Sequence, residues 1–378
     1  MHDAPTGTDR TPEYLTPAEA LAHAIEIAAD GPAYGPNPRV GCVVLAPGEG
    51  SDPRRVLATG IHRGAGTPHA EAAALTQAAA AGVDVTGASV FVSLEPCDHQ
   101  GRTGPCSEAL LAAGVAEVTF AVPDPSTVAA GGAAHLAAAG VAVVGPTEAD
   151  DGPGHELVRA WLHSVTTGRP FVTLKMATTL DGRVAAADGT SRWVTSEIAR
   201  HHAHERRAEV DAILVGTGTV LADDPALTAR AADARPDGST RGVHQPLRVV
   251  LGRTEIPREA RLRTTPGGRL VHLRTHDVHE ALAELAALEV RHVLVEGGPR
   301  VAAQFLRAGL VDEVHAYVAP VLLGAGRPAV ADLGLTSISQ ALRLEPTSVE
   351  VLGPDVLVVS RPRRASSDAH ATPLTKEH

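Results

Sequence analysis

The chain has 378 residues, of which 44% are hydrophobic and 20% charged, and its formal net charge is -11. This composition is typical of a folded protein with two or three domains and excludes a chain that is disordered over most of its length. The charge argues against a general nucleic-acid binder, no apolar run approaches the roughly 18 residues of a membrane span, and the N-terminus lacks a signal-peptide pattern. We therefore expect a cytoplasmic protein that acts on a small molecule, without a nucleic-acid or membrane partner.

The first part of the chain alternates short apolar runs with Ala-rich stretches. A helix is predicted to begin after Thr16, because Thr16-Pro17-Ala18-Glu19 has the capping-box spacing with proline at the first helical position, and to end at Gly31. Alternating strands and helices favour a three-layer α/β/α sandwich. Further strands are predicted at 40–45, 55–59, 89–94, 117–122 and 141–144, and helices at 69–81, 106–113 and 132–139.

The middle of the chain predicts a change of domain. Residues 147–170 begin with an acidic stretch that contains Gly and Pro, continue with an amphipathic pattern around Leu157, Trp161 and Val165, and end in TGRP. We interpret this segment as a linker helix. The predicted domains are 13–149 and 150–362, with poorly ordered tails at 1–12 and 363–378.

A second α/β pattern follows the linker. A β-hairpin is predicted from 349–352 and 356–360, and residues 231–246 are interpreted as a long polar loop. The other strands are predicted at 171–176, 210–215, 247–251, 270–273, 290–295 and 314–318, and the helices at 196–208, 278–288 and 300–308.

Three residues of the first domain have the types and spacing of a zinc site. His69 opens a predicted helix, Cys97 follows a strand end, and Cys106 starts another helix. One imidazole and two thiolates leave the fourth tetrahedral position for water, which is the catalytic arrangement, and bound zinc lowers the pKa of that water to roughly 7. Glu71 can then carry a proton from water to a leaving amine, and H-x-E with a later P-C is the signature of zinc-dependent base deaminases.

Alternatives to this zinc site exist. Two buried cysteines and an incidental histidine would leave the same residues in the sequence. Nucleic-acid deaminases usually close the site as C-x-x-C, whereas the gap from Cys97 to Cys106 is longer here. Cys42 fits no ligand spacing and is interpreted as a small residue of the core.

The second half contains two glycine-bearing turns that follow strands. Val293-Leu294-Val295 leads through Glu296-Gly297-Gly298-Pro299 into a predicted helix, an arrangement whose exposed N–H groups favour a phosphate. Gly216-Thr217-Gly218-Thr219 is interpreted as another loop whose backbone a ligand can approach closely. Neither has the Rossmann spacing, and a Gly-Gly turn alone is more often only a turn.

Two residue types are rare enough to mark candidate positions. The chain has only two lysines, Lys175 and Lys376, against a total of 33 Lys and Arg, and Asn37 is its single asparagine. Arginine is therefore the usual cation of this chain. We interpret Lys175 and Asn37 as functional residues, with chance as the alternative.

Motifs of both halves resemble one family. NPRVGCVV, HAEAAAL and SLEPCDHQGRTGPCSEALLAAGV resemble the deaminase half of the RibD family of bifunctional riboflavin biosynthesis enzymes. LKMATTLDGRVA, SRWVTS, VGTGTVLADDPALTAR and VEGGPRVAAQFL resemble its reductase half. The resemblance covers about residues 13–361 and implies a mixed α/β architecture, with a cytidine-deaminase-like three-layer α/β/α sandwich followed by a dihydrofolate-reductase-like α/β domain.

In the deaminase half, the resemblance implies substrate contacts from Asn37, His62, Arg102 and Asp124. Asn37 would hydrogen-bond the edge of a pyrimidine ring, and Arg102 would meet a phosphate. The family usually has DPNP where this chain has Asp124-Pro125-Ser126-Thr127. A contact made by that asparagine therefore comes from Ser126 or is missing.

In the reductase half, the resemblance implies an NADPH site. Lys175 and Asp223 would assist opening of a sugar ring, because a compact ammonium reaches an oxygen where a guanidinium does not fit. Arg300 is a candidate contact for the extra phosphate. In the family this strand ends in Asp followed by Ser or Thr. Here the residues are Leu251-Gly252-Arg253, so one cofactor contact is absent.

The residues implied to line the cofactor are Ala177, Trp193, Thr219, Asp223, Gly298, Pro299, Arg300, Val301, Ala302, Ala303 and Gln304. Those implied to face the substrate are Ser191, Arg207, Leu227, Arg230 and Glu296.

Other interpretations of these residues stay open at this point. Trp193 could pack in the core, Asp223 and Asp224 could form a turn or a helix cap, and Arg207 could lie on a solvated helix face with Arg206. The same pattern could also belong to a nucleic-acid base deaminase with an accessory domain, or to a structural zinc site with a ligand-sensing module.

The resemblance implies two successive reactions and two cofactors, Zn²⁺ and NADPH. The first half would deaminate 2,5-diamino-6-(5-phosphoribosylamino)pyrimidin-4(3H)-one. The second would reduce the ribosyl group of 5-amino-6-(5-phosphoribosylamino)uracil to ribityl. The family is usually dimeric or larger, so a homo-oligomer is expected.

Overall fold

The structure is a computed structural model that describes residues 13–100, 104–230 and 243–363. Within these residues the chain divides into two compact units. The first runs to Phe171 and includes 209–211 and 282–292, and the second contains the remaining residues. The domain boundary at 149 stays a prediction, and both predicted tails lie almost wholly outside the described residues.

The first unit is built on a six-stranded sheet. Its elements are β1 (Tyr14–Leu15), α1 (Pro17–Ala28), β2 (Gly41–Leu45), β3 (Arg54–Ile61), α2 (Ala70–Ala80), β4 (Ser89–Leu94), α3 (Cys106–Ala112), β5 (Glu117–Val122), α4 (Gly132–Ala138), β6 (Ala142–Val144) and α5 (Pro153–Thr167). The strand order is β1-β3-β2-β4-β5-β6. Neighbouring strands are antiparallel from β1 to β4 and parallel from β4 to β6.

Alternation along β2 separates the two helical layers. Val43 packs with Ala24 of α1 on one face of the sheet, whereas Cys42 packs with Ala74 of α2 in the cluster on the other face. Helix α2 lies so close to β3 that a Cβ on Gly60 would meet the carbonyl oxygen of Ala70 at 2.0 Å. The predicted three-layer sandwich is confirmed, and Cys42 is a buried core residue as expected.

The second unit is built on an eight-stranded sheet and a two-stranded ribbon. The elements that follow α5 in the chain are β7 (Phe171–Thr179), β8 (Arg183–Ala185), α6 (Glu197–Ala208), β9 (Ala212–Gly216), α7 (Thr217–Asp223), β10 (Leu247–Leu251), α8 (Arg261–Thr264), β11 (Leu270–Leu273), α9 (Val278–Ala287), β12 (His292–Val295), α10 (Pro299–Arg307), β13 (Glu313–Ala319), β14 (Arg327–Pro328), a short 3-10 helix (Ile338–Gln340), β15 (Leu344–Leu352) and β16 (Asp355–Pro362). The division assigns the part of α9 from residue 282 onward to the first unit. The order in the large sheet is β11-β10-β9-β12-β7-β13-β16-β15, and β8 pairs with β14.

Parallel pairing brings the carboxyl ends of several strands of this sheet to one edge. β11, β10, β9 and β12 are mutually parallel, and β7 is parallel to β13. The predicted hairpin is confirmed as β15 and β16, which pair antiparallel with β16 next to β13. Ligand sites in α/β folds form at such an edge.

One element was wrongly predicted at this edge. The expected loop at Gly216-Thr217-Gly218-Thr219 is instead the start of helix α7, which follows β9 without an intervening loop. Gly216 is the N-cap residue in an extended conformation, so one residue turns the chain from strand to helix. Thr and Gly have low helix propensities, so the local sequence favours a loop, but Val220 of this helix is buried in the fold.

No helix in the described ranges is long and apolar enough to cross a membrane.

Candidate functional site

The first unit brings His69, Cys97 and Cys106 together. His69 is the N-cap residue of α2, Cys97 follows the end of β4, and Cys106 is the first residue of α3. His69 Nδ1 lies 3.4 Å from Cys97 Sγ and 3.3 Å from Cys106 Sγ, and all three ligand atoms lie within 4.8 Å of one another. The predicted cluster therefore exists in the fold.

The donor set and its spacing fit a zinc ion. Tetrahedral zinc with ordinary bonds to nitrogen and sulfur separates these atoms by about 3.5 Å. A hydrogen bond from the Cys106 thiol and the nearby His69 lower the pKa of Cys97, although burial opposes this shift, whereas the same hydrogen bond and burial raise the pKa of Cys106. Within this pair Cys97 is thus the thiolate, the form that binds zinc.

Glu71 lies beside the two sulfurs in the first turn of α2. Its side chain is buried, and burial together with the nearby Cys97 raises the pKa of its carboxyl, against the opposing effects of its own backbone N–H and His69. A carboxyl with a raised pKa accepts and releases a proton closer to neutral pH. The environment suits the predicted proton carrier.

Asp98 connects the two cysteine segments. Its Oδ1 accepts hydrogen bonds from Ser107 Oγ at 2.5 Å and from His135 Nδ1 at 2.6 Å. Ser107 follows Cys106, and Asp98 follows Cys97. The carboxylate therefore holds both ligand-bearing turns in place, a role that sequence reasoning missed because His135 lies on α4, 37 residues away.

His62 lies next to the candidate ligand His69, and Asn37 lies next to His62. Asn37 Nδ2 is 3.0 Å from His62 Nε2, and His62 Nδ1 is 3.0 Å from the Pro68 carbonyl oxygen. Burial lowers the pKa of His62, although its bond to Pro68 opposes the shift. A neutral ring can then donate through Nδ1 and accept from Asn37. The His62 and His69 rings meet edge to face with centroids 5.3 Å apart.

Glu95 organises the loop that carries Asp124. Its carboxylate accepts main-chain hydrogen bonds from Asp124, Gly131 and Ala133 at 3.2 to 3.3 Å. Burial raises the pKa of Asp124, although the Ser126 N–H opposes the shift. The Ser126 hydroxyl accepts hydrogen bonds from the N–H groups of the next turn, at 3.3 and 3.4 Å, so it is engaged within the loop. Arg102 lies outside the described residues.

The second unit contains a cavity of about 930 Å³ at the carboxyl edge of its parallel strands. This volume is at the upper end of the range for small-molecule and cofactor sites. The predicted residues that line it are Lys175, Ala177, Ser191, Thr219, Asp223, Glu296, Gly298, Pro299, Arg300, Val301, Ala302 and Gln304. Most of the predicted cofactor residues, and two of the predicted substrate residues, Ser191 and Glu296, therefore line one space.

Glycines bring two helix starts close together at this cavity. The Gly298 N–H donates to Thr219 Oγ1 at 3.1 Å, which ties the start of α10 to the first turn of α7. A Cβ on Gly216 would meet Val301 Cγ2 at 2.8 Å, and one on Gly297 would meet Val301 Cβ at 3.0 Å. The backbone N–H groups at the start of α10 suit the phosphates of a dinucleotide.

Buried charges lie at the other side of the cavity. Arg207 donates through Nε and Nη2 to the two carboxylate oxygens of Glu296, at 2.6 and 2.7 Å. Burial alone would raise the pKa of Glu296, but Arg207 and Lys175 hold it at about 2. Burial lowers the pKa of Lys175, with Glu296 opposing this shift. Arg207 therefore does not lie on a solvated helix face, and that alternative is wrong.

The remaining predicted residues do not line the cavity. Trp193 is 69% exposed beside Arg200, whose guanidinium carbon is 4.3 Å from its ring centroid, so core packing of this tryptophan is wrong. Ala303 is fully buried, Leu227 is buried with a φ of 49°, and Arg230 is exposed. Their predicted roles stay predictions.

The departure at the end of β10 also has a structural consequence. Gly252 has a φ of 132°, and a Cβ there would meet Thr217 Oγ1 at 2.7 Å. Its carbonyl oxygen accepts a hydrogen bond from His272 Nε2 at 2.8 Å. The Thr217 side chain of α7 therefore occupies the space that a side chain at position 252 would need.

Two family models match the chain. The cytidine and deoxycytidylate deaminase zinc-binding region matches residues 16–122, and the RibD C-terminal domain matches residues 170–358. RibD of Mycobacterium tuberculosis is 48% identical over 339 residues, which is 90% of this chain and 94% of that protein. The chain belongs to the RibD family. Both motif-based halves of the predicted resemblance are confirmed by these matches.

Solved structures of RibD relatives share the fold. A diaminohydroxyphosphoribosylaminopyrimidine deaminase/5-amino-6-(5-phosphoribosylamino)uracil reductase from Thermotoga maritima has a TM-score of 0.81 at 32% identity, covering 91% of this chain and 98% of its own. RibD of Acinetobacter baumannii has a TM-score of 0.81 at 34% identity, covering 92% and 98%.

Family membership fixes the two activities of the chain. It is a bifunctional riboflavin biosynthesis enzyme, with a zinc-dependent deaminase half and an NADPH-dependent reductase half. The alternatives of a nucleic-acid base deaminase and of a ligand-sensing module with structural zinc are therefore wrong.

Proposed function

We propose that the deaminase half converts 2,5-diamino-6-(5-phosphoribosylamino)pyrimidin-4(3H)-one to 5-amino-6-(5-phosphoribosylamino)uracil, and that the reductase half converts this product to its ribitylamino form. The main support is that the buried Glu71 carboxyl lies beside a cluster of His69, Cys97 and Cys106 whose atoms are spaced as zinc ligands are. In the first reaction, water adds a C–O bond at the ring carbon, and the C–N bond to the amine breaks with release of ammonia.

Zinc, held by His69, Cys97 and Cys106, makes water nucleophilic at neutral pH when it is bound. Glu71 takes the proton of the attacking water and delivers it to the leaving amine. Asn37, held by His62, presents its amide to the pyrimidine edge. Arg102 and Asp124 are proposed to contact the ribose phosphate end, where an arginine forms charge-assisted hydrogen bonds.

NADPH, when it is bound, supplies the hydride that reduces C1′ of the opened ribose. The N–H groups at the start of α10, with Thr219 and Arg300, are proposed to hold its phosphates. Lys175 and Asp223 are proposed to contact the sugar and to assist its ring opening. Ser191, Glu296, Leu227 and Arg230 are proposed to orient the substrate, with Arg207 holding Glu296.

The test uses the full zinc-loaded protein. Incubation with the diaminopyrimidine ribotide without NADPH should release ammonia, and subsequent addition of NADPH should cause its oxidation. Lys175→Met should abolish NADPH oxidation without affecting ammonia release, whereas Lys376→Arg should leave both unchanged. Ammonia release without NADPH oxidation by the wild-type protein would contradict the proposed second substrate.

We also propose a homo-oligomer in the cytoplasm. Support comes from an apolar sheet face on the last two strands, β15 and β16. Val349 and Val351 of β15 are 64% and 74% exposed, and they pair with Val358 and Val356 of β16. Such an apolar face is typical of association sites, and β15 is also a sheet edge. Sedimentation of Val351→Glu should show a smaller species than the wild type.

A further inference from the structure

An aromatic ring lies directly beneath the ammonium of Lys175. Tyr317 lies on β13 opposite Ala177 of the parallel strand β7, and Lys175 is two residues before Ala177 on the same face of the sheet. Lys175 Nζ lies 5.5 Å from the centroid of the Tyr317 ring. This distance is within the roughly 6 Å range of a cation–π interaction.

The ring is held in one orientation. Tyr317 is 1% exposed and packs with Ala203 of α6 and Leu357 of β16. Its hydroxyl lies 2.8 Å from Nδ1 of His202, which is also on α6. Burial lowers the pKa of His202, with Arg206 adding to the shift. A fixed ring presents its face to Lys175 rather than its edge.

The other charged groups near Lys175 do not by themselves hold its ammonium in place. Glu296 attracts the ammonium, but both oxygens of this carboxylate already accept hydrogen bonds from Arg207. Arg207 itself repels Lys175. An electron-rich ring face supplies attraction without a second buried charge.

We propose that Tyr317 is a positioning residue for the reductase reaction: the face of its ring holds the Lys175 ammonium at the wall of the cofactor cavity. The inference rests on the proposed role of Lys175 at the sugar. It assigns the ring, and not the hydroxyl, as the part of Tyr317 that acts on the reaction.

The small number of lysines makes a direct spectroscopic test possible. In protein labelled with lysine carrying ¹³C at the ε position, the two lysines give two signals, and Lys376→Arg identifies the one from Lys175. A ring face shifts the ε protons above it upfield. Tyr317→Phe should retain this shift, whereas Tyr317→Leu should move the Lys175 signal toward the value of free lysine. An unmoved Lys175 signal in Tyr317→Leu would overturn the proposal.

The kinetic test compares rings of the same shape. Replacement of Tyr317 by phenylalanine should keep the kcat of NADPH oxidation within about twofold. Replacement by pentafluorophenylalanine, which keeps the size but removes the electron-rich face, should lower kcat by about 2- to 30-fold with KM for NADPH unchanged. Phenylalanine and pentafluorophenylalanine both keep the ring, so neither leaves the cavity that leucine would leave beside α6.

Each outcome assigns a cause. Equal losses in the phenylalanine and pentafluorophenylalanine variants would assign the effect to the hydroxyl and overturn the proposal. If Lys175→Met retains wild-type NADPH oxidation, the proposed role of Lys175 fails, irrespective of Tyr317. Ammonia release by the same preparations serves as an internal control, because the deaminase residues lie in the other unit.

Discussion

The Arg207–Glu296 pair predicts a pH-dependent contribution to the stability of the second unit. The two side chains are 16% and 8% exposed and are joined by two short hydrogen bonds. Glu296→Gln keeps the shape of the side chain but leaves the Arg207 charge buried and unpaired. Removal of one partner of a buried pair typically costs about 3 to 5 kcal/mol.

The pKa of Glu296 gives a second route to the magnitude. It lies at about 2 in the folded protein against an ordinary value of 4.5, a difference that corresponds to roughly 3 kcal/mol of unfolding free energy. Because the folded value is depressed, this stabilisation is complete above pH 4.5 and disappears as the pH falls through about 2. Wild type and Glu296→Gln should therefore differ most near neutrality and converge in acid.

Hydrogen exchange, resolved by peptide and followed along a urea titration, measures this difference in unfolding free energy near the ion pair. Peptides from α6 and β12 should lose about 3 kcal/mol of protection at pH 7 in Glu296→Gln. The double variant Arg207→Gln/Glu296→Gln is the matched control, because it removes the unpaired charge and should recover part of the loss. A loss below about 0.5 kcal/mol, or one that persists at pH 2, would refute the argument.

Three further predictions concern the deaminase half. Glu71→Gln should retain zinc by atomic absorption and lower the rate of ammonia release at least about 100-fold, and a smaller decrease would remove Glu71 from the proton path. Glu95→Gln should raise KM for the diaminopyrimidine ribotide about tenfold without loss of zinc, because its amide N–H₂ cannot accept from the N–H groups of the Asp124 loop; an unchanged KM would count against this role of the loop. Removal of zinc by a chelator should abolish ammonia release and leave NADPH oxidation with the deaminated substrate intact, and parallel loss of both activities would contradict two separate sites.

Much of the fold could be predicted because the strands are buried and clearly bounded. The predicted strands at 89–94, 117–122, 247–251 and 270–273 have the observed bounds. Each is a short run of apolar or β-branched residues between turns, so the hydrophobic pattern and the turn residues predict the same strand limits. Strands β1, β8 and β14 have two or three residues and are held by partners distant in sequence, so no local pattern signals them.

The metal ligands were also predictable from local rules. A ligand that directly precedes a helix or begins one has a fixed direction, and His69 and Cys106 hold such positions. Glu95, Asp98 and Tyr317 each have a hydrogen-bond partner 29 to 115 residues away instead. Only the tertiary fold brings these partners together, so their sequence neighbours gave no sign of their roles.

Glu296 forms an ion pair with Arg207 and is also proposed to orient the substrate, so the sequence and the structure suggest different roles for it. The motif VEGGP places it before the glycines of the cofactor turn, whereas the structure pairs it with Arg207, 89 residues earlier. An ionised carboxylate accepts about four hydrogen bonds, and Arg207 uses one at each oxygen. Glu296 also lines the cavity, together with Lys175. Arg207 therefore keeps Glu296 ionised and oriented, and the same carboxylate can still accept from a substrate hydroxyl.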